Sequence, residues 1–371
     1  MVLVQENPFV LSTFMRGILM KIAILNDTHC GARNSSDIFM GYQERFYSEV
    51  FFPYLLKHDI KQIIHLGDYY DNRKTVNFKA LSHNRKIFLE KLREYGITMD
   101  IILGNHDVYY KNTNELNALK ELQGHYMNEV NLIMEPTDMD YDGFKMALVP
   151  WINPENEKQT LDFLENTSSQ WVGAHLELAG FEMARGQICK EGMDASVFNR
   201  FESVLSGHFH AKSSQGNIHY LGAQYEFFWS DCDDPKHFHV LDTKTRELES
   251  IHNPITIYEK IYYDSRRPPK KFKDLRYLDE KFVKIIVVNK GDVLDFEKFV
   301  GRVQDQKIHE LKIAEDFKDF LGENVSDNLQ VDDTATLVNE YVDAVSTDLD
   351  KDRIKLEIST LMTEAQNMEI M

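Results

Sequence analysis

The sequence predicts an α/β domain over most of its length, and two observations carry that prediction. From Met20 to about Leu248, short apolar runs alternate with stretches in which apolar residues recur at three and four positions. This is how strands look when amphipathic helices separate them. The strand candidates also run, five times over, into Asp, Asn or His. In open α/β sheets the carboxyl ends of strands are where sites assemble, so these residues can converge although the sequence spreads them widely.

The elements follow in order. KIAIL (21–25) runs into Asn26-Asp27-Thr28-His29-Cys30-Gly31, and a helical period covers Tyr42–Leu56. QIIHL (62–66) runs into Gly67-Asp68-Tyr69-Tyr70-Asp71, followed by a second helix over Phe78–Tyr95. MDIIL (99–103) leads to Gly104-Asn105-His106-Asp107, and KMALV (145–149) is a further strand. WVGAH (171–175) ends on His175, SVLSG (203–207) leads into His208-Phe209-His210, and NIHYLG (217–222) is the last strand of the series. The glycines at 31, 67, 104 and 207 suit tight turns beneath the polar residues.

The alternation breaks at Arg266-Arg267-Pro268-Pro269, because two prolines stop both a helix and a central strand. A short strand–helix unit follows, Phe282–Asn289 and Leu294–Asp305. Two amphipathic helices are then expected between Asp332 and Glu369. Leu337, Val338, Tyr341, Val342 and Val345 line one face of the first; Ile354, Ile358, Leu361 and Met362 line the second. The expected division is a leader or disordered extension over 1–19, a catalytic domain over 20–260, a basic linker and small domain over 261–325, and a helical tail over 326–371. Residues 1–19 have neither the charged start nor the small-residue cleavage site of a signal peptide.

Composition sets bounds on function. No apolar run reaches 18 residues, so no membrane span is expected. Cys30, Cys189 and Cys232 are odd in number and lack CxxC spacing, which points to a reducing compartment. The net charge of −18 is awkward for an enzyme acting on phosphates, but residues 291–371 alone carry −12 while 261–290 carry +5. The acidity is mostly a property of the tail.

Carboxylate, imidazole and amide side chains together suit borderline divalent cations, whereas thiolate sites would need cysteines that this chain lacks. A carboxylate shared by two cations about 3.5–4 Å apart can hold them over a phosphate and lower the pKa of a water between them. On that chemistry Asp27, His29, Asp68, Asn105, His175, His208 and His210 are the candidate ligands of a phosphoesterase. Each motif alone is weak, since Asp-x-His also makes turns and His-x-His also alternates along strands. Gly-Asn-His-Asp is more telling, because a polar run directly after a buried strand has no packing rationale.

The order DxHxG, GD, GNHD, H, GHxH resembles that of the calcineurin-like metallophosphoesterases. Within them the sequence is most similar to the SbcD-type nucleases, also called the meiotic recombination eleven family. The Tyr-Glu-Phe-Phe-Trp-Ser-Asp run at 225–231 and the compact length look nearest to the recombination endonuclease subunits of T-even phages. The resemblance covers about 20–260 closely and the rest only in layout. It implies a four-layer α/β sandwich, two mixed sheets flanked by helices, with a small α+β capping domain and a helical tail.

It also implies roles. Asp27, His29 and His210 would bind one ion, Asn105, His175 and His208 the other, with Asp68 bridging; Mn²⁺ is favoured and Mg²⁺ is possible. His106 would stand by the scissile phosphate, and Asp107 would orient it. Asp71 stands where archaeal and eukaryotic members carry a second histidine, which leaves the balance of exonuclease and endonuclease action open. Ala223 replaces a serine of the family's turn.

The implied activity is nuclease action on DNA ends in recombination, repair and replication, in the cytoplasm of a host if phage-encoded. The implied partner is an SbcC-type ABC ATPase with a long coiled coil, bound to a homodimer within a heterotetramer. Leu337, Tyr341, Val345, Ile354, Ile358 and Leu361 are the expected contacts. Arg266, Arg267, Lys270, Lys271, Lys273 and Arg276 form a basic strip that would track DNA backbone or else serve as a solvated linker. Tyr69, Tyr70, Tyr109 and Tyr110 would stack on bases or merely pack the loops. Two rival functions remain: a phosphomonoesterase or cyclic-nucleotide phosphodiesterase on the same metal core, and a DNA-end scaffold with a vestigial site.

Overall fold

Alternation along the first apolar run sets the architecture. In β1 (Lys21–Leu25), Ile22 and Ile24 face one way and Ala23 and Leu25 the other, and all four are fully buried in the computed structural model. A strand buried on both faces needs a layer on each side. The structure describes residues 21–122, 124–126, 128–184, 187–266, 274–315, 351 and 353.

β1 pairs in parallel with β2 (Gln62–His65), which continues to β3 (Thr98–Ile102) and β4 (Val130–Ile133). β5 (Thr137–Tyr141) and β6 (Phe144–Val149) form a hairpin, and β6 pairs in parallel with β7 (Trp171–His175). A two-stranded ribbon, β8 (Glu182–Ala184) and β9 (Gln187–Ile188), precedes β10 (Ser203–Gly207), β11 (Ser213–Gln215) and β12 (Ile218–Tyr220). β13 (His237–Asp242) and β14 (Glu247–His252) then return antiparallel to the far side of β1. The result is two six-stranded mixed sheets, ordered β14-β13-β1-β2-β3-β4 and β11-β12-β10-β7-β6-β5.

Between the sheets lie Ile22, Ile24, Ile64, Leu66 and Ile102 from the first, and Met146, Leu148, Trp171 and Leu205 from the second. The outer face of the first sheet packs on two long helical segments. One runs through Asp37–Arg45, Phe46–Phe51 and Phe52–Lys57, the other through Phe78–Asn84, Arg85–Leu89 and Glu90–Tyr95. Each has a π-helical middle, and Tyr47, Phe51, Phe52 and Phe88 interlock there. Such a widened turn re-aims bulky side chains without ending the helix. The second sheet is covered by the helix Glu157–Asn166 through Leu164, and by Phe198 and Phe201. These are the four layers that the resemblance implied.

The strands missed in sequence are β4, β5, β8, β9, β11, β13, β14, β15 (Tyr258–Asp264) and β17 (Glu310–Glu315). Several are short or lie at sheet edges, where polar residues such as those of TDMDY and ELESIH are normal. A smaller three-stranded unit follows, beginning at Tyr258. Its sheet is β15, β16 (Phe282–Asn289) and β17 (Glu310–Glu315), packed on the helix Val293–Gln304. Asp292 caps that helix, accepting from Leu294 N at 2.9 Å and Asp295 N at 3.1 Å. Glu226 ties the small domain to the large one, its Oε2 accepting from Ile257 N at 2.6 Å and Tyr258 N at 3.0 Å.

The three cysteines are buried and free. Among the described residues no helix is long and apolar enough to cross a membrane. The expected leader lies outside the described residues. So do Arg267, Lys270, Lys271 and Lys273 of the basic strip, and the expected contacts Leu337, Tyr341, Val345, Ile354, Ile358 and Leu361 of the tail.

Candidate metal centre

β1, β2, β3, β7 and β10 deliver their polar ends to one edge of the two sheets. The backbone there is bent into unusual shapes: Asp27, His29, Asp68 and His208 all have positive φ, at 47°, 43°, 54° and 87°. Non-glycine residues avoid this region because Cβ crowds the backbone, and such strain concentrates at functional sites. Hydrogen bonds lock the bends together, with Asp27 N donating to Gly67 O at 2.9 Å and His29 N to Asp68 O at 3.1 Å. Gly104 is required by close approach, since a Cβ there would overlap Asp68.

Two triads of possible ligands result. Asp27, His29 and His210 each bring a ligand atom to within 4.8 Å of the others, and Asp68, His175 and His208 do the same. His29 Nε2 and His210 Nε2 are 3.1 Å apart, and each is 3.9 Å from Asp27 Oδ1. Asp68 Oδ2 lies 3.3 Å from His175 Nε2 and 3.9 Å from His29 Nε2, which puts it between the triads.

Asn105 belongs to the second group, its Oδ1 facing His175 Nε2 at 3.0 Å and His208 Nδ1 at 2.9 Å. Turned over, its NH₂ would donate to both imidazoles while its oxygen accepted from Arg73 Nη2 at 3.0 Å. The reverse orientation is the better hydrogen-bonding choice for bare side chains. The inward oxygen is the one a cation needs, since three lone pairs then converge on one point. The donor set of carboxylate, imidazole and amide fits a borderline divalent cation.

The electrostatics follow from burial and proximity. Burial holds Asp27 above the usual carboxylate range, helped by the neighbouring Asp68. Burial opposes ionisation of Asp68 too, but the imidazoles of His175, His106 and His29 hold its carboxyl well below that range. Burial keeps His29 well below the ordinary imidazole value and His208 down to about 3, so both stay neutral, as ligation requires. Burial works against protonation of His175 as well, yet Asp68 and Asp27 raise it to about 9.

His106 sits over this group, its backbone N donating to Asp68 Oδ1 at 2.7 Å and its ring packing edge-on to His29 at 4.9 Å. Its Nδ1 is 2.6 Å from the Asp71 carbonyl oxygen. That contact corrects one expectation, for Asp107 does not orient the imidazole. Asp107 is fully buried, and its carboxylate accepts from Tyr69 N, Tyr70 N and Gly104 N at 3.0, 3.1 and 2.9 Å. It braces the two ligand loops against each other, while burial raises it to about 7. The reason is geometric: the carboxylate is held by three backbone donors, while His106 Nδ1 meets the Asp71 carbonyl instead.

The aromatic pairs divide. Tyr69 and Tyr70 are fully buried, which removes them as base-stacking residues, and Tyr69 hydroxyl donates to Asn84 Oδ1 at 2.7 Å. Tyr109 and Tyr110 are exposed. Phe209 packs in the core against Tyr220. Of the basic strip, Arg266 bonds Asp264 and Arg276 bonds Asp274, each two residues back. Exposed pairs of this kind contribute little to stability, because water and salt screen them.

Sequence reading missed Arg73, half-buried beside Asn105 and Asp68, and the buried pair Asp231–Lys236 at 3.1 Å. Arg73 had a signal in its place five residues after Asp68. Lys236 had none, because a lysine after Asp-Asp-Pro reads as surface.

Residues 20–212 match the calcineurin-like phosphoesterase family. The chain is 31% identical over 335 residues to the exonuclease subunit 1 of Enterobacteria phage T4, covering 90% of this chain and 95% of that protein. Among solved structures, an archaeal phosphodiesterase matches with 13% identity and a TM-score of 0.33. A hypothetical protein from Thermus thermophilus matches with 15% and 0.35. Each alignment covers 63% of this chain and all of the other. At these scores the structural likeness adds nothing to the family match.

Proposed function

The chain belongs to the calcineurin-like phosphoesterases, and from that premise we propose that it is a metal-dependent nuclease hydrolysing phosphodiester bonds at DNA ends. The observation that carries the proposal is the position of Asp68 between two triads of metal-type ligands. Asp27, His29 and His210 would hold one divalent ion, and Asn105, His175 and His208 the other, with Asp68 shared. Bound there, the ions, Mn²⁺ in the first place and Mg²⁺ in the second, would supply Lewis-acid polarisation of the phosphoryl group and a water of lowered pKa.

The side chains do the rest. The Asp71 carbonyl keeps a proton on His106 Nδ1 and so turns Nε2 toward the substrate. From Nε2, His106 would donate to a phosphoryl oxygen or to the leaving oxygen. Asp68 accepts the His106 backbone N–H, so the residue that would bridge the ions also fixes the acid. Arg73 adds positive charge beside Asn105 and Asp68, where a phosphodiester oxygen would approach.

The relative in phage T4 is named as a subunit, which supports an assembly. The partner proposed is an SbcC-type ABC ATPase bound through residues 326–371, acting with a homodimer of this chain in recombination and repair in a host cytoplasm. The basic strip over 266–276 would track the DNA backbone. The test is an assay on 5′- and 3′-labelled duplexes with Mn²⁺, Mg²⁺ or EDTA, with and without the ATPase. Release of nucleotides in Mn²⁺, abolished by EDTA, supports the reading. Hydrolysis of nitrophenyl phosphate with none of DNA would replace it with a phosphomonoesterase. Full recombination function in Asp68→Asn would replace it with a scaffold.

A further inference from the structure

The imidazoles of the centre are not held alike. His175 is anchored through its own ring, Nδ1 lying 2.7 Å from the Leu66 carbonyl oxygen. This is the usual way a metal-binding histidine is oriented, through the nitrogen that does not face the metal. His210 has no such anchor: among the described residues nothing hydrogen-bonds its Nδ1. Its ring instead lies against Phe227 at 5.0 Å and Phe228 at 6.1 Å, and its carbonyl oxygen accepts from Ala223 N and Lys236 Nζ, each at 3.1 Å.

Lys236 is the unusual member of this set. It is 4% exposed, and its ammonium also donates to Asp231 Oδ1 at 3.1 Å and Asp234 Oδ2 at 2.8 Å. The other oxygen of Asp231 accepts from Phe227 N at 2.8 Å and Phe228 N at 2.9 Å. One buried ammonium therefore grips the main chain of His210 directly. Through Asp231 it also grips the main chain of both rings that flank the imidazole. Apolar side chains of similar volume often hold a loop as well as a buried ion pair does, so stability alone gives little reason for a lysine here. Geometry gives one, since the His210 carbonyl and two carboxylates of the Asp231–Asp234 turn, far from His210 in the chain, meet at one nitrogen.

We propose that Lys236, acting with Asp231, is a positioning residue for the ion held by Asp27, His29 and His210. It takes the place of the missing ring anchor of His210. The inference rests on the two-ion reading of the centre. It makes the two ion sites unequal in what supports them: Leu66 and the sheet for His175, a buried ion pair for His210.

The experiment is a calorimetric titration of the metal-free full chain with Mn²⁺, alongside Lys236→Met, Lys236→Met/Asp231→Asn and His210→Gln. The double variant leaves no bare carboxylate at 231 and keeps an acceptor for Phe227 and Phe228, so it serves if the single variant fails to fold. In both Lys236 variants one of two binding steps should weaken by about 10–100-fold, the usual cost of losing a group that orients a ligand. It should be the same step that His210→Gln weakens, with the other step within about threefold of wild type. Two unchanged steps, or two steps weakened equally, overturn the proposal. A wild-type chain that binds fewer than two ions overturns the two-ion reading itself, and the two failures are thereby told apart.

Discussion

The metal-centre edge of the large domain and the small domain at 258–315 are built by opposite rules. The small domain has its own core of Ile261, Val283, Ile285, Phe296, Phe299 and Val303, and a helix capped by Asp292. Local preference and packing agree there. At the candidate metal edge they conflict, with four candidate ligand positions in left-handed backbone, the carboxylates of Asp27 and Asp68 buried with the imidazoles of His29 and His175, and a glycine pressed against Asp68. The difference teaches where function sits, because strain and buried charge persist only where something other than stability maintains them.

Substitutions can break that comparison or sharpen it. The largest effect is expected for Asp68→Asn, which should lower kcat for DNA cleavage by at least about 10²–10³-fold, with the thermal midpoint little changed. An unchanged rate would show that the strained edge is not the catalytic one. His106→Gln should cost about 10²–10⁴-fold in kcat with Mn²⁺ affinity retained, the mark of proton transfer rather than ligation. Loss of metal affinity there would move His106 into the ligand set.

Gly104→Ala should destabilise by several kcal/mol, at the top of the range of about 0.5–3 kcal/mol usual for point changes, because Cβ meets Asp68 and neither can withdraw. Chemical denaturation would measure it; a loss below about 1 kcal/mol would mean that the edge is softer than its geometry suggests.

Glu226, at the seam between the two regions, gives a pH test. Burial raises its carboxyl from 4.5 to about 7 in the folded chain. The folded state therefore binds this proton more tightly, and the stability it contributes is full below about 4.5 and lost as pH rises through about 7. Glu226→Gln removes that dependence while keeping an acceptor for Ile257 N and Tyr258 N. Its thermal midpoint relative to wild type should rise between pH 5 and pH 8, and a flat difference would refute the shift. The smallest effect belongs to the regular region, where Asp292→Ala should cost about 1 kcal/mol by loss of a helix cap, with no change in catalysis.

Much of this was legible in the sequence because it depends on neighbours along the chain. Alternating apolar residues specified β1, β2, β3, β7 and β10, and the polar residues that follow them could be named as candidate ligands before any coordinates. Tyr69 and Tyr70 were ambiguous, since a loop aromatic beside a ligand can stack outward or pack inward, and only the fold buried them. Asp107 was assigned to the wrong partner for the same reason: two of the three backbone donors that hold its carboxylate come from the loop after β2.

By itself, then, the sequence determined the strands that lead into the candidate site, the types of its candidate ligands and the acidic tail, all of them set by residue chemistry and short-range period. The tertiary structure alone decided which ligands share a triad, that the Asp71 carbonyl holds His106, and that a lysine at 236 lies beneath His210. Those are contacts between residues far apart in the chain, and their pairing is fixed by how two sheets close on each other, which no local pattern records.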